Sequence, residues 1–270
     1  MAYLRRLPTY SGGSARDFHP SSFFSAGRIR RTCTRIITPS FRLFNTHRGC
    51  PISPFDAVFR LWYNNNKNRE GFTIQTTITL TTRRLILRPF TADDAECFFA
   101  LMRDPEVNTF LPWFPLTSLN EARQFLSERY LSVPPNTGEY HYAICLRTRP
   151  DELIGYLNIS GGESHDLGYG LQKAFWGQGI ATEAAQAVVD HLRTSGIPFL
   201  TATHDIRNPG SGAVMRKIGM TYRYSYQEFW LPKQQQVIFR MYQLDLDGQV
   251  HPTYRAYWDK WPVHWVETGL

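Results

Sequence analysis

A strand, a glycine-rich loop and a helix follow one another between residues 165 and 192, and this succession constrains the fold more than any other part of the sequence. The strand reads His165-Asp-Leu-Gly-Tyr-Gly-Leu171. Period-two alternation gives it two faces, one with Asp166, Gly168 and Gly170 and the other with Leu167, Tyr169 and Leu171. Two glycines weaken a strand interior, and they are typical of places where a ligand or another backbone approaches closely.

The loop that follows, Phe175-Trp-Gly-Gln-Gly-Ile-Ala-Thr-Glu183, lies between this strand and a helix. Backbone N–H groups at the start of a helix bind anions, most often phosphate, and glycine lets the anion approach the amides. The sequence therefore predicts a phosphate-binding loop, with an ordinary strand-to-helix turn as the alternative. A dinucleotide fold is disfavoured because Thr182 occupies the third glycine position and the loop follows an antiparallel meander.

The apolar periodicity and the capping signals of the body predict a mixed α/β domain of about 170 residues. The predicted strands cover residues 81–90, 140–147, 153–159, 165–171, 199–203, 221–226 and 237–244. The predicted helices cover residues 92–103, 118–130, 180–192 and 209–219. The three consecutive strands before the glycine loop predict an antiparallel meander.

The positive charge is concentrated at the N-terminus. Residues 1–82 carry 12 basic and 3 acidic side chains, whereas the rest of the chain carries 18 and 20. We interpret residues 1–75 as a basic, disordered extension, residues 76–247 as the folded domain and residues 248–270 as an aromatic-rich strap. The extension has three interpretations: a passive segment, an organelle transit peptide, or a basic arm for nucleic acid or anionic lipid. The strap is expected to dock on the body or on a second subunit.

Several classes of protein are excluded by composition. The four cysteines form no CxxC pair and the histidines no HExxH motif, so no metal site or disulfide framework is predicted. No apolar run reaches the roughly 18 residues that span a bilayer. We therefore expect a non-membrane, cytoplasmic protein in a reducing compartment, as a monomer or homodimer, with nucleic acid only as a possible partner of the basic extension.

The ordered motifs Asp166-Leu-Gly-Tyr-Gly-Leu, Trp176-Gly-Gln-Gly-Ile-Ala-Thr-Glu-Ala, Asn208-Pro-Gly-Ser211 and Arg216-Lys-Ile-Gly-Met220 resemble the GNAT acetyltransferases of the RimJ/RimL branch. The resemblance covers about residues 80–246. It implies a GNAT-like, mostly antiparallel twisted sheet with helices on both faces. It also implies that acetyl-CoA serves as cosubstrate, without a metal, and that an acetyl group passes directly to a primary amine.

The resemblance also implies a cofactor site along the strand, the loop and the short helix. Its pantetheine part consists of Leu167, Gly168, Tyr169, Gly170 and Leu171. Its loop part consists of Trp176, Gly177, Gln178, Gly179, Ile180, Ala181 and Thr182, with the pyrophosphate on the amides from Gly177 to Ala181. The remaining positions are Asn208 and Ser211. The superfamily usually has Arg or Gln where this chain has Trp176, a departure that is usual in this branch.

The catalytic residues implied by the resemblance are Asp166, Ser211 and Asn208. Asp166 occupies the position of a glutamate base, and its shorter side chain favours a water relay. Met215 stands where many relatives have a tyrosine acid, so Ser211 is the candidate group at the CoA sulfur, with Asn208 holding its loop. The alternative is that Asn208 is only an N-cap and Ser211 only a first-turn residue. His165 and His204 are secondary candidates for the base.

The acceptor is expected to be a protein N-terminal α-amine or a small-molecule amine, because an α-amine is far more often neutral at pH 7 than a lysine. Residues 104–118 and the last two strands are expected to line its pocket, including Trp113, Phe114 and an aligned row of Tyr222, Tyr224 and Tyr226. Packing inside the protein is the alternative role for these aromatics. A catalytically idle acyl-CoA-binding or regulatory module is the alternative function, since the helix tyrosine is missing and two glycines flank Ser211.

Overall fold

The computed structural model describes residues 77–134, 137–231 and 233–270. The predicted extension over residues 1–75 lies outside these described residues. The strands are β1 (Leu80–Thr81), β2 (Leu85–Arg88), β3 (Tyr140–Leu146), β4 (Arg149–Ile159), β5 (Leu167–Leu171), β6 (Phe199–Asp205), β7 (Thr221–Trp230), β8 (Gln235–Asp245) and β9 (His264–Trp265). The helices are α1 (Ala95–Met102), α2 (Leu119–Leu126), α3 (Ile180–Leu192), α4 (Pro209–Lys217) and α5 (Ala256–Lys260).

The strands form two antiparallel sheets. The first sheet has the order β1-β2-β3-β4-β5 and the second the order β6-β8-β7-β9. An isolated parallel bridge between Asp166 and Thr201 joins them, and the Thr201 N–H donates to the Ser164 carbonyl at 3.2 Å. In the described part of the chain β5 and β6 pair nowhere else, so the two sheets separate toward the carboxyl ends of these parallel strands.

Helices cover both faces of the first sheet, as predicted. The larger core lies between this sheet and helices α3 and α4, where the small residues Ala184 and Ala185 allow close packing. A second core lies on the opposite face, where α1 and α2 contribute Phe98 and Leu126. A third core lies between β7, β8 and the C-terminal segment that contains Tyr257. The two faces of β5 therefore have different surroundings.

Local sequence signals explain where several helices begin. The Ser118 hydroxyl accepts a hydrogen bond from the Glu121 N–H at 3.2 Å and caps α2. Before α1, the buried Asp94 carboxylate accepts from the Thr91 N–H and pairs with Arg88. Asn208 caps α4, with Pro209 at its first position.

Several predicted elements differ from the structure. The segment 149–152, predicted as a turn, forms the exposed start of β4, because the hairpin turns at residues 147–148. The strand predicted from His165 begins at Leu167, since His165 has a φ of 41°. In the tail, α5 and β9 were not predicted. Among the described residues no helix is both long and apolar enough to cross a membrane.

A conservative substitution in the first sheet tests the packing of the larger core. The Tyr142 hydroxyl is buried and has no hydrogen-bond partner among the described residues. An unsatisfied buried hydroxyl costs about 1–3 kcal/mol, so we expect Tyr142→Phe to leave the free energy of unfolding unchanged or raise it by about 1 kcal/mol. Urea denaturation measures the difference, and a clear loss of stability would show that this hydroxyl has a partner.

Candidate functional site

The separation of β5 from β6 defines a cleft between the two sheets. On the α3 and α4 side of β5, Leu167 and Leu171 are buried in the larger core and Tyr169 packs against it. The opposite face carries the two glycines, and a Cβ atom on Gly170 would lie 2.6 Å from the Tyr156 ring. The Tyr156 ring thus occupies the space that a side chain on Gly170 would need. Gly168 is half-buried on the same face.

The glycine loop lies after the free end of β5 and has the geometry of an anion-binding turn. Gly177 and Gly179 have φ values of 71° and 73°, in the left-handed region that favours glycine. A Cβ on Gly177 would meet nothing within 4 Å, and one on Gly179 only an Arg84 nitrogen at 3.6 Å. The first helical hydrogen bond runs from the Glu183 N–H to the Gly179 carbonyl, which leaves the N–H groups of residues 180–182 without intrahelical partners. The loop therefore offers amides to an anion from outside the protein.

The other predicted members of the loop support this geometry in different ways. The exposed Trp176 indole donates to the Leu171 carbonyl at 2.8 Å and ties the loop to the end of β5. The Gln178 side chain donates to the Ala174 carbonyl. Ile180 is buried in the larger core, whereas Ala181 and Thr182 are half-buried.

Arg84 fixes the loop from the turn before β2, and the sequence did not reveal this role. Its guanidinium donates to the Gln178 carbonyl at 2.9 Å and to the Glu183 carboxylate at 2.6 Å. The same carboxylate accepts from the Thr82 hydroxyl at 2.6 Å and from the Arg84 N–H at 2.9 Å. Glu183 is thus a structural residue, and Arg84 brings a positively charged guanidinium to the loop.

Lowering the pH should weaken the contacts that the Glu183 carboxylate makes with Thr82 and Arg84. Burial by itself raises the pKa of Glu183, but the hydrogen bonds from Thr82 and Arg84 outweigh burial and hold the pKa below its ordinary value of 4.5. A depressed folded-state pKa contributes stability that is full above the unfolded value and is lost as the pH falls through the folded value. We expect Glu183→Gln to lower the melting temperature at pH 7 and to approach the wild type as the pH falls below 4.5 and through the lower folded-state pKa. Thermal melts across pH 3–7 measure this, and a difference independent of pH would contradict it.

Asp166 lies at the closed end of the cleft and is 1% exposed. Its Oδ1 atom lies 3.1 Å from the Thr201 hydroxyl and 3.5 Å from the Tyr257 hydroxyl. Its N–H donates to the Ser160 hydroxyl at 2.7 Å. The candidate base is therefore covered by the C-terminal segment, and a proton can reach it only through a neighbouring hydroxyl or water.

Contacts to its N–H, its carbonyl oxygen and its hydroxyl hold Ser211 at the start of α4. Its N–H donates to Asn208 Oδ1 at 3.2 Å, so Asn208 is an N-cap. The Tyr169 hydroxyl lies 2.8 Å from the Ser211 carbonyl oxygen and 2.9 Å from Ser211 Oγ. Burial raises the pKa of Tyr169 above its ordinary value and the contact with Ser211 opposes this in part. The structure thus joins a neutral phenol to the candidate acid, and the sequence did not predict this pairing.

The secondary candidates for the base differ in exposure, since His204 is fully buried and His165 is half-buried. Burial lowers the pKa of both His165 and His204. The His204 Nδ1 atom lies 2.8 Å from the Asp205 carbonyl, and its Nε2 atom would lie 2.6 Å from a Cβ on Gly212. Gly212 therefore makes room for a neutral imidazole under α4. Met215 is buried in the larger core.

The predicted row of three aligned tyrosines is wrong. A register shift between Tyr222 and Tyr224 places Tyr222 against Tyr242 and the larger core, whereas Tyr224 and Tyr226 lie in the third core under the C-terminal segment. A bulge of this kind turns later residues to the other face. Trp113 packs against Phe125 with ring centroids 6.1 Å apart, and Phe114 is exposed.

The described residues contain no group of His, Cys, Asp or Glu side chains that could hold a metal ion. A cleft between two sheets and a loop at its mouth that exposes unpaired amides form the candidate site, and amides of this kind can bind an anion such as a phosphate.

Comparisons with known proteins give the family. The sequence model of the Acetyltransferase (GNAT) domain family matches residues 84–221. The chain is 31% identical over 125 residues to the uncharacterized N-acetyltransferase p20 of Bacillus licheniformis, an alignment that covers 43% of this chain and 67% of the relative. The chain therefore belongs to the GNAT acetyltransferase family.

Solved structures share the fold. A GNAT-family acetyltransferase from Bacillus anthracis matches with a TM-score of 0.54 at 20% identity, covering 63% of this chain and 99% of its own. The microcin C7 self-immunity acetyltransferase MccE, solved in complex with acetyl-CoA and AMP, matches with a TM-score of 0.54 at 16% identity, covering 61% of this chain and 93% of its own. The predicted fold class is confirmed.

Proposed function

We propose that this protein transfers the acetyl group of acetyl-CoA directly to a primary amine, within the RimJ/RimL-like branch of its family. The main support is the cleft, in which the free edge of β5 leads straight to the loop that contains Gly177 and Gly179. The related MccE was solved with acetyl-CoA bound. The open space outside both glycines fits a pyrophosphate.

The binding roles follow from what each group can offer. The N–H groups of residues 177–181 hold the pyrophosphate, and Arg84 adds positive charge beside them. The backbone of residues 167–171, unpaired on its β6 side, binds the pantetheine arm through main-chain hydrogen bonds. One of these N–H groups donates to the acetyl carbonyl and stabilises the negative charge that develops on its oxygen.

In the chemical step the amine nitrogen attacks the acetyl carbon, the C–N bond forms and the C–S bond breaks. The amine loses one proton toward Asp166 through an intervening hydroxyl or water, because Asp166 is buried. The CoA thiolate receives a proton from Ser211 Oγ. Tyr169 returns a proton to Ser211 Oγ across the 2.9 Å contact when its O–H turns from the Ser211 carbonyl toward Oγ. Water then reprotonates Tyr169 and takes up the proton held by Asp166, so each group returns to its starting state.

The acceptor is a protein N-terminal α-amine or a small-molecule amine. A base that acts indirectly suits an amine that is already partly neutral, and an α-amine is about 10% neutral at pH 7. We further propose that the protein acts in the cytoplasm, as a monomer or homodimer, without nucleic acid as a partner of residues 76–247.

A test begins with calorimetric titration of the full chain with acetyl-CoA and with CoA. Release of free thiol is then followed against N-terminal peptides, polyamines and amino sugars. Micromolar binding with turnover on one amine class is the expected result. Binding without turnover on any amine would favour the idle acyl-CoA-binding module, and the absence of binding would overturn the loop assignment.

Ser211→Ala and Tyr169→Phe test the proton donor. We expect either substitution to lower kcat by about tenfold or more, because each removes one hydroxyl of the pair. The double variant should be little worse than either single variant, since the two hydroxyls act together. Additive losses, or a kcat unaffected by Tyr169→Phe, would contradict the relay.

A further inference from the structure

A group of polar side chains on the first sheet lies outside every role assigned above. His141 on β3 is flanked by Glu139 and by Asn158 on β4, with its Nε2 3.2 Å from Glu139 Oε2 and its Nδ1 3.1 Å from Asn158 Oδ1. Asn158 Nδ2 donates to the Tyr130 hydroxyl at 3.2 Å. His141 and Asn158 are 6% and 4% exposed, so two polar groups are buried on a sheet that could have been apolar there.

Strand register places this group beside the cleft. His141 is the cross-strand partner of Asn158, and Asn158 is the partner of Gly168 on β5. The three residues form one row across three strands, on the face that also carries Gly170 and the Tyr156 ring. Because β5 is the last strand of this sheet, Gly168 ends the row at the cleft. Gly168 is half-buried and has no side chain, which leaves space above it at the edge of the cleft. Asn158 is its cross-strand partner on β4 and therefore the polar side chain next to that space.

The side-chain amide of Asn158 can donate one more hydrogen bond than this network uses. A primary amide carries two N–H hydrogens and the network uses one of them, whether the nitrogen faces Tyr130 or the histidine. Among the described residues no acceptor takes the second hydrogen. A buried donor without a partner costs free energy unless a ligand or water satisfies it.

The packing around Asn158 fixes its orientation. Tyr130 stacks on Phe90 with ring centroids 4.1 Å apart and an interplanar angle of 9°, and its ring meets that of His141 at 5.2 Å. Glu139 holds the far side of the imidazole. An amide held between two fixed rings is preorganised to donate in one direction, which favours binding of a matching oxygen.

We infer that Asn158, positioned by His141 and Tyr130, binds an oxygen of the acceptor molecule next to its reacting amine. This inference rests on the proposed function and narrows its substrate class. The favoured acceptors carry a carbonyl or similar oxygen acceptor close to the amine, as an amino-acid amide does, and simple alkylamines and polyamines are disfavoured. A site built to donate to an oxygen discriminates against an analogue that lacks it.

The test compares two acceptors, glycinamide and propylamine, with rates expressed per neutral amine. The full-length wild type should show at least about tenfold higher kcat/KM for glycinamide. Asn158→Asp keeps the shape but removes the donors and adds a charge that repels an oxygen. It should raise the KM for glycinamide about tenfold, leave or lower the KM for propylamine, and keep the Kd for acetyl-CoA.

A second variant keeps the test decisive if Asn158→Asp folds poorly. Tyr130→Phe retains the stack on Phe90 and removes only the hydroxyl that holds Asn158, so the KM for glycinamide should rise about threefold with kcat unchanged. Tyr142→Phe is the matched control, since it removes a phenol one residue after His141 on the opposite face, and its KM should not change. Equal kcat/KM for both acceptors in the wild type, or unchanged values in both variants, would overturn the inference.

Binding separates this inference from the proposed function. Calorimetry of the CoA-bound protein measures the affinity for glycinamide and for propylamine without requiring turnover. A preference for glycinamide that Asn158→Asp abolishes would support the subsite even if no acetyl transfer occurred, which would count against the proposed function alone. Equal affinities would overturn the subsite even in an active enzyme.

Discussion

Gly179→Glu is expected to abolish acetyl-CoA binding. Gly179 has a φ of 73° and immediately precedes α3, so a glutamate would strain the turn and place a carboxylate in the proposed pyrophosphate site. Losing two charge-assisted hydrogen bonds, worth about 1.5–3 kcal/mol each, raises the Kd by roughly a hundredfold or more. Calorimetric titration with acetyl-CoA measures the loss.

Gly196→Glu is the matched control for strain. Gly196 follows the other end of α3, has a φ of 84° and has nothing within 4 Å of a Cβ position. The same substitution there imposes a similar backbone penalty and the same charge without approaching the loop. We expect both variants to lose similar stability and only Gly179→Glu to lose the ligand. Undiminished affinity in Gly179→Glu would show that the loop does not bind the pyrophosphate.

Asp166→Asn is expected to lower kcat by about 100-fold, a typical contribution of a general base. The loss should be greatest at low pH, where removal of the amine proton is hardest. Acetyl-CoA binding should be retained, because the Asp166 carboxylate faces Thr201 and Tyr257 and lies away from the glycine loop. The pH profile of kcat, together with the Kd for acetyl-CoA, measures both parts of this expectation.

Asp94→Asn provides a comparison for the loss of a buried carboxylate as such. Asp94 is also 1% exposed and pairs with Arg88 at the start of α1, remote from the cleft. We expect this variant to lose stability while its pH profile keeps the wild-type shape. An unchanged pH profile in Asp166→Asn would reject Asp166 as the base and leave it a structural role at the junction of the two sheets.

Much of the fold could be predicted because its signals are local. The N-caps at Ser118 and Asn208 precede helices where expected, and the apolar period of α3 predicted its extent of residues 180–192. The glycine-rich loop was predicted to join a strand to α3, and Gly177 and Gly179 there have positive φ. Each of these features depends on residues within about one helical turn of each other, so the neighbours that decide the conformation are visible in the sequence.

The candidate site could be predicted only in part. Ser211 and Asp166 were chosen by position, but the partner of Ser211 is Tyr169, 42 residues earlier, and a neighbour of Asp166 is Tyr257, 91 residues later. Arg84 reaches the loop from 99 residues before Glu183. Nothing in a local pattern relates such pairs, because their proximity depends on how whole strands and helices pack.

The bulge in β7 is another feature that a local sequence pattern does not predict, even though it lies within a single strand. Strict alternation predicted that Tyr222, Tyr224 and Tyr226 share a face, but one extra residue in the register moves Tyr222 to the other side. A bulge is decided by the pairing of β7 with its neighbour β8 and by the core on each face.

The sequence by itself determined the order of the strands and helices from β2 to β8, the glycine turn and the helix caps, since short-range sterics and hydrogen bonding decide them. The tertiary structure alone decided that the two sheets pair at Asp166 and Thr201, that the C-terminal segment covers Asp166, and that Asn158 stands beside Gly168. These arrangements arise from the burial of large apolar surfaces contributed by distant parts of the chain. That burial is non-directional and depends on the whole molecule.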